Sequence, residues 1–95
     1  MNISEKKLEK FSEFFKAFSD MTRIKILLVL KEEELSVTCI ACKLKMEHSA
    51  ISHQLRVLRN VNLVKRVKRG KEVFYSLSDI HIHNIFEQAI EHINE

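Results

Sequence analysis

The sequence of 95 residues contains one glycine, Gly70, and no proline. Phosphate-binding loops of the GxGxxG and GxxxxGK[ST] kinds and the GxSxG turn of hydrolases each need at least two glycines. These nucleotide-binding and hydrolytic sites are therefore excluded. Because tight turns and sheet-rich folds use glycine and proline, their scarcity also predicts a mostly helical chain.

Cysteines and long apolar runs are also scarce. The two cysteines, Cys39 and Cys42, are three positions apart on one predicted helix and do not make a disulfide framework. The longest apolar run, Ile26 to Leu30, has five residues, whereas a membrane span needs about 20, so we expect no membrane partner. The first residues lack the apolar stretch of a secretory signal, which favours a cytoplasmic location. At this length we expect a single domain over residues 1–95.

Positive and negative charges occupy different parts of the chain. Residues 1–42 contain seven basic and seven acidic residues, whereas residues 72–95 contain five acidic residues and no lysine or arginine. Between them, residues 43–71 contain nine basic residues against the single acid Glu47. A basic stretch is often only a solvated face, but so dense a cluster favours a nucleic-acid partner. The acidic segment, residues 72–95, favours binding of a cation.

Apolar residues at helical spacing predict helices in the first part of the chain. One stripe predicts an amphipathic helix over about residues 4–18, and it consists of Leu8, Phe11, Phe15 and Phe18. Such an aromatic stripe is typical of a core or of a dimer face. Ser19 and Asp20 are helix N-cap residue types, and they predict a second helix that runs through Leu30. The three glutamates at positions 32–34 indicate a solvated turn.

The middle of the chain carries a helix-turn-helix pattern. Ser36 caps a short third helix, and a turn around residues 45–47 leads into a helix from His48 to Asn60. One side of this fourth helix is apolar and carries Ile51, Leu55 and Leu58. At 100° per residue, the opposite side presents Ser49, His53, Arg56 and Asn60. In a helix-turn-helix, the second helix presents such polar and basic groups to base edges in the major groove.

The basic segment continues into a predicted β-hairpin. From Leu63 to Lys68, apolar and basic residues partly alternate, which predicts a first strand. Arg69 and Gly70 form the predicted turn, and the apolar residues Val73, Tyr75 and Leu77 predict a second strand. A hairpin that follows a helix-turn-helix is a wing. Its cations Lys68, Arg69 and Lys71 would reach phosphates or a minor groove.

A last helix completes the predicted fold. Ser78 or Asp79 caps it, and its apolar line includes Ile82, Phe86 and Ile90. The expected fold is therefore mostly α with a small β-hairpin, a winged helix-turn-helix in the order α-α-α-α-β-β-α.

Two runs of sequence are typical of one family of regulators. The run SHQLRVLRN spans Ser52 to Asn60, and NLVKRVKRGKEVFYSLSD spans Asn62 to Asp79. Together they resemble the ArsR/SmtB family of bacterial winged-helix repressors, which respond to metals. The resemblance extends from the first helix to Glu95, and SHQLR combined with G-K-x-x-x-Y-x-L in the wing is fairly specific.

The resemblance implies a homodimer that is joined through its first and last helices. Its two recognition helices would dock in successive major grooves of a pseudo-palindromic, double-stranded operator DNA. The family's base and phosphate contact positions correspond here to His48, Ser49, Ser52 and His53. For His53 alone, a partly buried packing role is the alternative.

The acidic last segment contains a candidate metal site, formed by Asp79, His81, His92 and Glu95. His81 and His92 are separated by about 16 Å along a helix that rises about 1.5 Å per residue, so they cannot bind one ion within one helix. In an antiparallel pair of helices, the Asp79/His81 end of one chain meets the His92/Glu95 end of its partner, which gives two symmetric sites. Two nitrogen and two oxygen ligands suit Zn(II), or Co(II), and the resemblance implies a zinc site of this pattern. The alternative is that all four are solvated surface residues, and we expect His83 to be a surface histidine.

The cysteines depart from the family pattern. Thiolate-rich sensors of the family open the third helix with C-x-C, at positions that here are Ser36 and Thr38. Cys39 and Cys42 are expected to be small apolar fillers in or near the helix-turn-helix core. The alternative is a redox or persulfide switch, or part of a soft-metal site.

Three hypotheses of function follow. The leading one is a zinc-responsive transcriptional repressor that binds DNA as an apo dimer and is released by metal. The second is a winged-helix repressor that is switched by oxidation of Cys39 and Cys42, without a role for metal. The third, an enzyme or a metal store, is disfavoured because the sequence has no nucleophile with a base at recognisable spacing and four protein ligands leave a metal no open position. We therefore expect neither an enzyme nor a small-molecule substrate.

Overall fold

Five α-helices and three strands follow one another in the computed structural model, which describes residues 2–95. In chain order they are α1 (Glu5–Lys16), α2 (Met21–Glu32), β1 (Leu35–Ser36), α3 (Val37–Leu44), α4 (His48–Asn60), β2 (Val64–Arg69), β3 (Glu72–Leu77) and α5 (Ile80–Ile93). A 3-10 turn, Ala17–Ser19, joins α1 to α2. The predicted order is confirmed, with β1 as an addition.

Short polar side chains fix where several helices begin. The Asp20 carboxylate accepts the backbone N–H of Arg23 at 3.0 Å at the start of α2. The Ser36 hydroxyl accepts that of Cys39 at 3.2 Å at the start of α3. Asp79 accepts two backbone N–H groups at the start of α5. These side chains satisfy N–H groups that the first helical turn leaves free. Of the candidates that the sequence offers, Asp20 rather than Ser19 caps α2, and Asp79 rather than Ser78 caps α5.

The sheet is antiparallel and has the strand order β1-β3-β2. The hairpin pairs Val64 with Leu77 at one end and Arg69 with Glu72 at the other. The turn is one residue later than predicted, because β2 continues through Arg69 and the turn residues are Gly70 and Lys71. Strand β1 was not predicted, since two residues are too few to show the alternation by which strands are recognised.

The core lies where α2, α3, α4, α5 and the sheet meet. Its buried side chains are all apolar, and they are Ala17, Ile26, Leu27, Leu30, Leu35, Ile40, Ile51, Leu55, Leu58, Leu63, Val64, Ile82 and Phe86. The predicted inner line of α4 is confirmed. None of the helices within residues 2–95 is long and apolar enough to cross a membrane.

Two predictions about side-chain burial are wrong, and one alternative is excluded. Cys39 and Cys42 are exposed rather than core fillers, because the short helix α3 buries one face centred on Ile40. His53 is exposed, so a partly buried packing role is excluded. His83 is half-buried, and its Nδ1 has no hydrogen-bond partner within the described residues. It lies next to the buried Ile82, on a helix that packs against the core.

Candidate nucleic-acid interface and metal ligands

A tight turn sets the angle between α3 and α4. Lys45 adopts a left-handed backbone conformation, with φ of 56°. The N–H of Met46 donates to the carbonyl of Ala41 at 3.0 Å, and that of Lys45 donates to the carbonyl of Cys42 at 3.3 Å. These bonds close the end of α3 and allow α4 to start at His48. The helix-turn-helix predicted from the sequence is therefore present.

The solvent-facing side of α4 carries the polar residues that the helical periodicity of the sequence predicts there. The exposed residues on this side are Ser49, His53, Arg56 and Asn60, and His48 is exposed at the first position. Ser52 is half-buried. The candidate DNA contacts of the recognition helix thus face solvent, with Ser52 at the margin of the exposed side.

A side-chain hydrogen bond ties this helix to α2. The Nε of Arg23 donates to Oε1 of Gln54 at 2.8 Å, and both side chains are partly buried. The residues are 31 positions apart, and the periodicity of neither helix predicts the contact. The orientation of α4 therefore rests on a polar link as well as on its buried apolar line.

The wing presents a row of cations. In β2, Lys65, Arg66 and Lys68 are exposed, and Lys71 is exposed in the turn. The buried Val64 anchors the start of the strand in the core. Exposed cations beside a recognition helix are suited to the phosphates that flank a major groove.

Arg69 differs from its neighbours because it is ion-paired. Its Nε and Nη2 donate to the two carboxylate oxygens of Glu34, each at 2.9 Å. The pKa of the Glu34 carboxyl lies below its usual value. The carboxylate accepts these hydrogen bonds, and the positive charges of Arg69 and Lys65 stabilise its ionised form. The same contact raises the pKa of Arg69. The expectation of a solvated turn at positions 32–34 is thus wrong for Glu34, which is half-buried and ion-paired.

The candidate metal ligands form two separate pairs, one at each end of α5. The Nδ1 of His81 lies 3.5 Å from Oδ1 of Asp79 at the start of the helix. The Nδ1 of His92 lies 4.0 Å from Oε2 of Glu95 at the other end. All four side chains are exposed, and within residues 2–95 no three histidine, cysteine or carboxylate residues come together as ligands. One chain thus supplies two half-sets of nitrogen and oxygen donors, a donor set that fits Zn(II) but is completed only by a second set.

The first of these pairs lies beside the end of the recognition helix. Asp79 and His81 line a groove of about 810 Å³ together with Glu9 and Lys10 of α1 and the segment 60–62. Next to them, the Ser78 hydroxyl donates to the carbonyl of Asn62 at 2.6 Å. The backbone N–H of Ser78 donates to the carbonyl of Leu63 at 3.0 Å. The start of α5 is therefore bonded to the segment that leaves α4.

The outer faces of α1 and α5 are apolar. Phe11 and Phe15 are 55% and 49% exposed, and they line one groove with Ile3 and Ile85. Farther along α5, Ile93 is 78% exposed. Monomeric soluble proteins rarely expose contiguous apolar faces of this kind, so a protein partner is indicated. Of the two interpretations of the aromatic stripe, the dimer face fits Phe11 and Phe15, whereas Phe18 is half-buried and packs against the core, where its ring contacts Phe86.

Comparisons with known proteins agree with this architecture. A family described as "Bacterial regulatory protein, arsR family" matches residues 20–66. The chain is 39% identical to a transcriptional repressor SmtB homolog of Synechocystis sp. over 87 residues, which are 92% of this chain and 66% of that protein. It is 42% identical to a cadmium resistance transcriptional regulatory protein CadC homolog of Staphylococcus aureus, over 88% of this chain and 70% of that protein. The chain thus spans about two thirds of the length of these curated relatives.

The fold is that of a solved winged helix-turn-helix. The homodimeric DNA-binding domain of Mb0332 from Mycobacterium bovis superposes with a TM-score of 0.90, over 99% of this chain and 90% of that one. At 24% identity this likeness shows the fold alone.

Proposed function

This chain belongs to the ArsR family of bacterial regulatory proteins, and we propose that it is a metal-responsive transcriptional repressor. In this proposal it binds double-stranded operator DNA as an apo homodimer, and zinc releases it. The Synechocystis relative is named a repressor and the Staphylococcus relative a cadmium resistance regulator, both in agreement with this class. Membership of a family of regulators also agrees with the expectation that the chain is not an enzyme.

The DNA surface in this proposal consists of the recognition helix and the wing. His48, Ser49, Ser52, His53 and Arg56 would contact bases and phosphates in the major groove, and Lys68 and Lys71 would contact flanking phosphates. Support comes from the exposure of these side chains on one basic region, with Ser52 half-exposed. Neutral histidine and serine have little base preference, so phosphate contacts would supply much of the affinity.

The dimer in this proposal buries the exposed apolar groove of α1 and α5. A second copy offers the same apolar groove, and a two-fold axis brings two such surfaces together. The homodimeric state named for the Mycobacterium bovis domain is consistent with this assignment. The antiparallel arrangement then brings the start of each α5 to the end of its partner.

The observation that carries the metal proposal is that one histidine nitrogen and one carboxylate oxygen lie side by side at each end of α5. Asp79 and His81 lie at one end of α5, and His92 and Glu95 lie at the other, so neither end holds four ligands. In a dimer, each of two zinc ions would take one pair from each chain. Zn(II) would supply fixed ligand geometry and no redox chemistry, and Co(II) can take the same ligands.

In this proposal the metal ligands lie close in the structure to the end of the recognition helix. Asp79 follows Ser78, which is bonded to Asn62 and Leu63 just after α4. Ligands shared between chains would fix how the two copies are oriented. That orientation decides whether two recognition helices match grooves that are about 34 Å apart.

Fluorescence anisotropy tests the proposal as a whole. A duplex selected by the protein from a random-sequence pool is titrated with protein, once with zinc and once with chelator. We expect zinc to weaken binding about 5- to 150-fold, the usual range of allosteric coupling, and DNA to weaken zinc binding by the same factor. The double variant His81→Ala/His92→Ala is the control, and it should bind DNA without a response to zinc. Equal affinities of the wild type in zinc and in chelator would contradict the proposal.

The exposure of both cysteines favours a second candidate function. Cys39 and Cys42 are free and face solvent on α3, where an oxidant can reach them. Residues three apart on a helix have Cβ atoms about 5–6 Å apart, whereas a disulfide needs about 3.5–4.5 Å. Oxidation by a peroxide would therefore distort the helix that precedes the recognition helix. If Cys39→Ser/Cys42→Ser abolishes regulation while zinc has no effect on the wild type, the thiols are the switch.

A further inference from the structure

The ion pair of Glu34 and Arg69 connects two parts of the fold that are distant in sequence. Glu34 directly precedes β1, and Arg69 is the last residue of β2. These are the outer strands of the sheet, with β3 between them. The pair is therefore a second connection between the wing and the segment that leads into α3.

Its geometry differs from that of an ordinary surface ion pair. Two nitrogens of one guanidinium donate to two oxygens of one carboxylate, each at 2.9 Å. Such a bidentate pair fixes the relative orientation of the two side chains as well as the distance between them, because the guanidinium and the carboxylate are both planar. Exposed pairs are usually worth little, and this arrangement is the recognised exception.

The wing has few other restraints near its tip. A two-stranded hairpin is by itself only marginally stable, and β1 contributes just two residues to the sheet. Residues 68–72 at the tip are exposed, Val67 and Val73 next to them are half-buried, and the buried Val64 holds the base of β2. Arg69 is thus the place where the tip is attached to the body of the protein.

We propose that the Glu34–Arg69 pair sets the angle of the wing and stays closed when the protein binds DNA. Arg69 is then a positioning residue, and Lys68 and Lys71 on either side of it contact the phosphates. This inference rests on the proposed DNA binding. It replaces the expectation from the sequence that Arg69 itself reaches a phosphate.

Salt dependence separates a positioning residue from a phosphate contact. Each phosphate contact adds about 0.9 to the slope of log affinity against log salt concentration. Lys68→Ala should therefore flatten the slope by about that amount, while Arg69→Ala should leave it unchanged. Glu34→Ala and Arg69→Ala should each lower the affinity about three-fold, and the double variant should lower it no further. The swap Glu34→Arg/Arg69→Glu should restore part of the affinity.

Glu33→Ala is the matched control, because it removes the same charge from the adjacent exposed position. It should not lower the affinity. If Arg69→Ala flattens the slope by about 0.9 and Glu34→Ala raises the affinity, Arg69 binds a phosphate that Glu34 competes for, and the proposal is overturned.

Amide hydrogen exchange of the free protein supplies a test that needs no DNA. Glu34→Ala and Arg69→Ala should speed exchange across residues 64–77, whereas Glu33→Ala should not. Unchanged exchange in both variants would overturn the positioning role. If the wild type binds no DNA at all, the proposed function fails, and the exchange result still decides whether the pair holds the wing.

Discussion

Arg23 of α2 donates a hydrogen bond from Nε to Oε1 of Gln54, at 2.8 Å, in the middle of the recognition helix. The contact joins the central helix to the element that would enter the major groove. Gln54 lies between Ser52 and Arg56, which belong to the candidate DNA surface, but its own side chain is directed at the protein. The recognition helix is thus held from the side opposite to its exposed line.

This link should affect both stability and DNA binding. Arg23→Met and Gln54→Leu should each lower the free energy of unfolding by about 1 kcal/mol, because each removes a partly buried hydrogen bond. The double variant should cost less than the sum of the two, since both changes break the same bond. Chemical denaturation of the four proteins measures this. Lys25→Met, an exposed position on the same helix, is the control, and strictly additive losses would contradict the coupling.

Base contacts and phosphate contacts should respond differently to substitution. His53→Ala should weaken binding to a selected operator about five- to ten-fold and change binding to a random duplex little, since base contacts carry the sequence information. Lys68→Ala should weaken binding to both duplexes by a similar factor. Competition titrations with the two duplexes measure the ratio. An equal loss on both duplexes for His53→Ala would remove it from the base-reading set.

The apolar groove of α1 and α5 should be the dimer interface. Phe15→Glu places a charge on this groove and should shift the protein from dimer to monomer, because an unpaired charge is costly to bury. Met21→Glu is the control, since Met21 is 73% exposed and does not line the groove. Sedimentation velocity gives the oligomeric state. A Phe15→Glu variant that remains dimeric would place the interface elsewhere.

The fold was largely predictable because its helices carry clear signals. The inner line of α4 and the caps Asp20, Ser36 and Asp79 follow from periodicity and from short polar side chains, and both are local properties. Strand β1 was missed because it exists only through its pairing with β3. The exposure of Cys39 could not be predicted from residue type, since which face of a short helix is buried depends on its neighbours.

The candidate sites were predictable only in part. The candidate ligands at the two ends of α5 were proposed from their spacing and from the family resemblance, whereas the partners of Glu34 and Arg23 depend on how distant elements pack. Glu34 and Arg69 are 35 positions apart, and no local pattern joins them. The basic segment predicts where a polyanion binds, but it does not distinguish a cation that contacts DNA from one that holds the wing.

The Lys31–Glu87 ion pair between α2 and α5 should make stability depend on pH. The side chain of Lys31 is only 11% exposed. Hydrogen bonding to Lys31 lowers the pKa of Glu87 from 4.5, and the same contact raises the pKa of Lys31 from 10.5. The stabilisation is therefore complete between about pH 4.5 and 10.5 and is lost as pH falls through the lowered pKa of Glu87 or rises through the raised pKa of Lys31.

Thermal unfolding as a function of pH measures this effect. Glu87→Gln should lower Tm at neutral pH, and its difference from the wild type should shrink as the pH falls below about 4.5. Glu91→Gln, which removes the same charge one turn later on α5, is the control. A difference between Glu87→Gln and the wild type that persists unchanged in acid would assign it to packing rather than to charge.

Mixed dimers should reveal whether the metal ligands are shared between chains. The wild-type dimer should bind two zinc ions tightly, and neither His81→Ala nor His92→Ala homodimers should bind any, because each site needs one end from each α5.

A heterodimer of one His81→Ala chain with one His92→Ala chain is the decisive case. One of its sites loses both histidines, while the other keeps His81 from one chain and His92 from its partner, so it should bind one ion. If each site were built within one chain, this heterodimer would bind none. Calorimetric titration with zinc of heterodimers purified by two different tags measures the stoichiometry, and a value of zero would overturn the shared site.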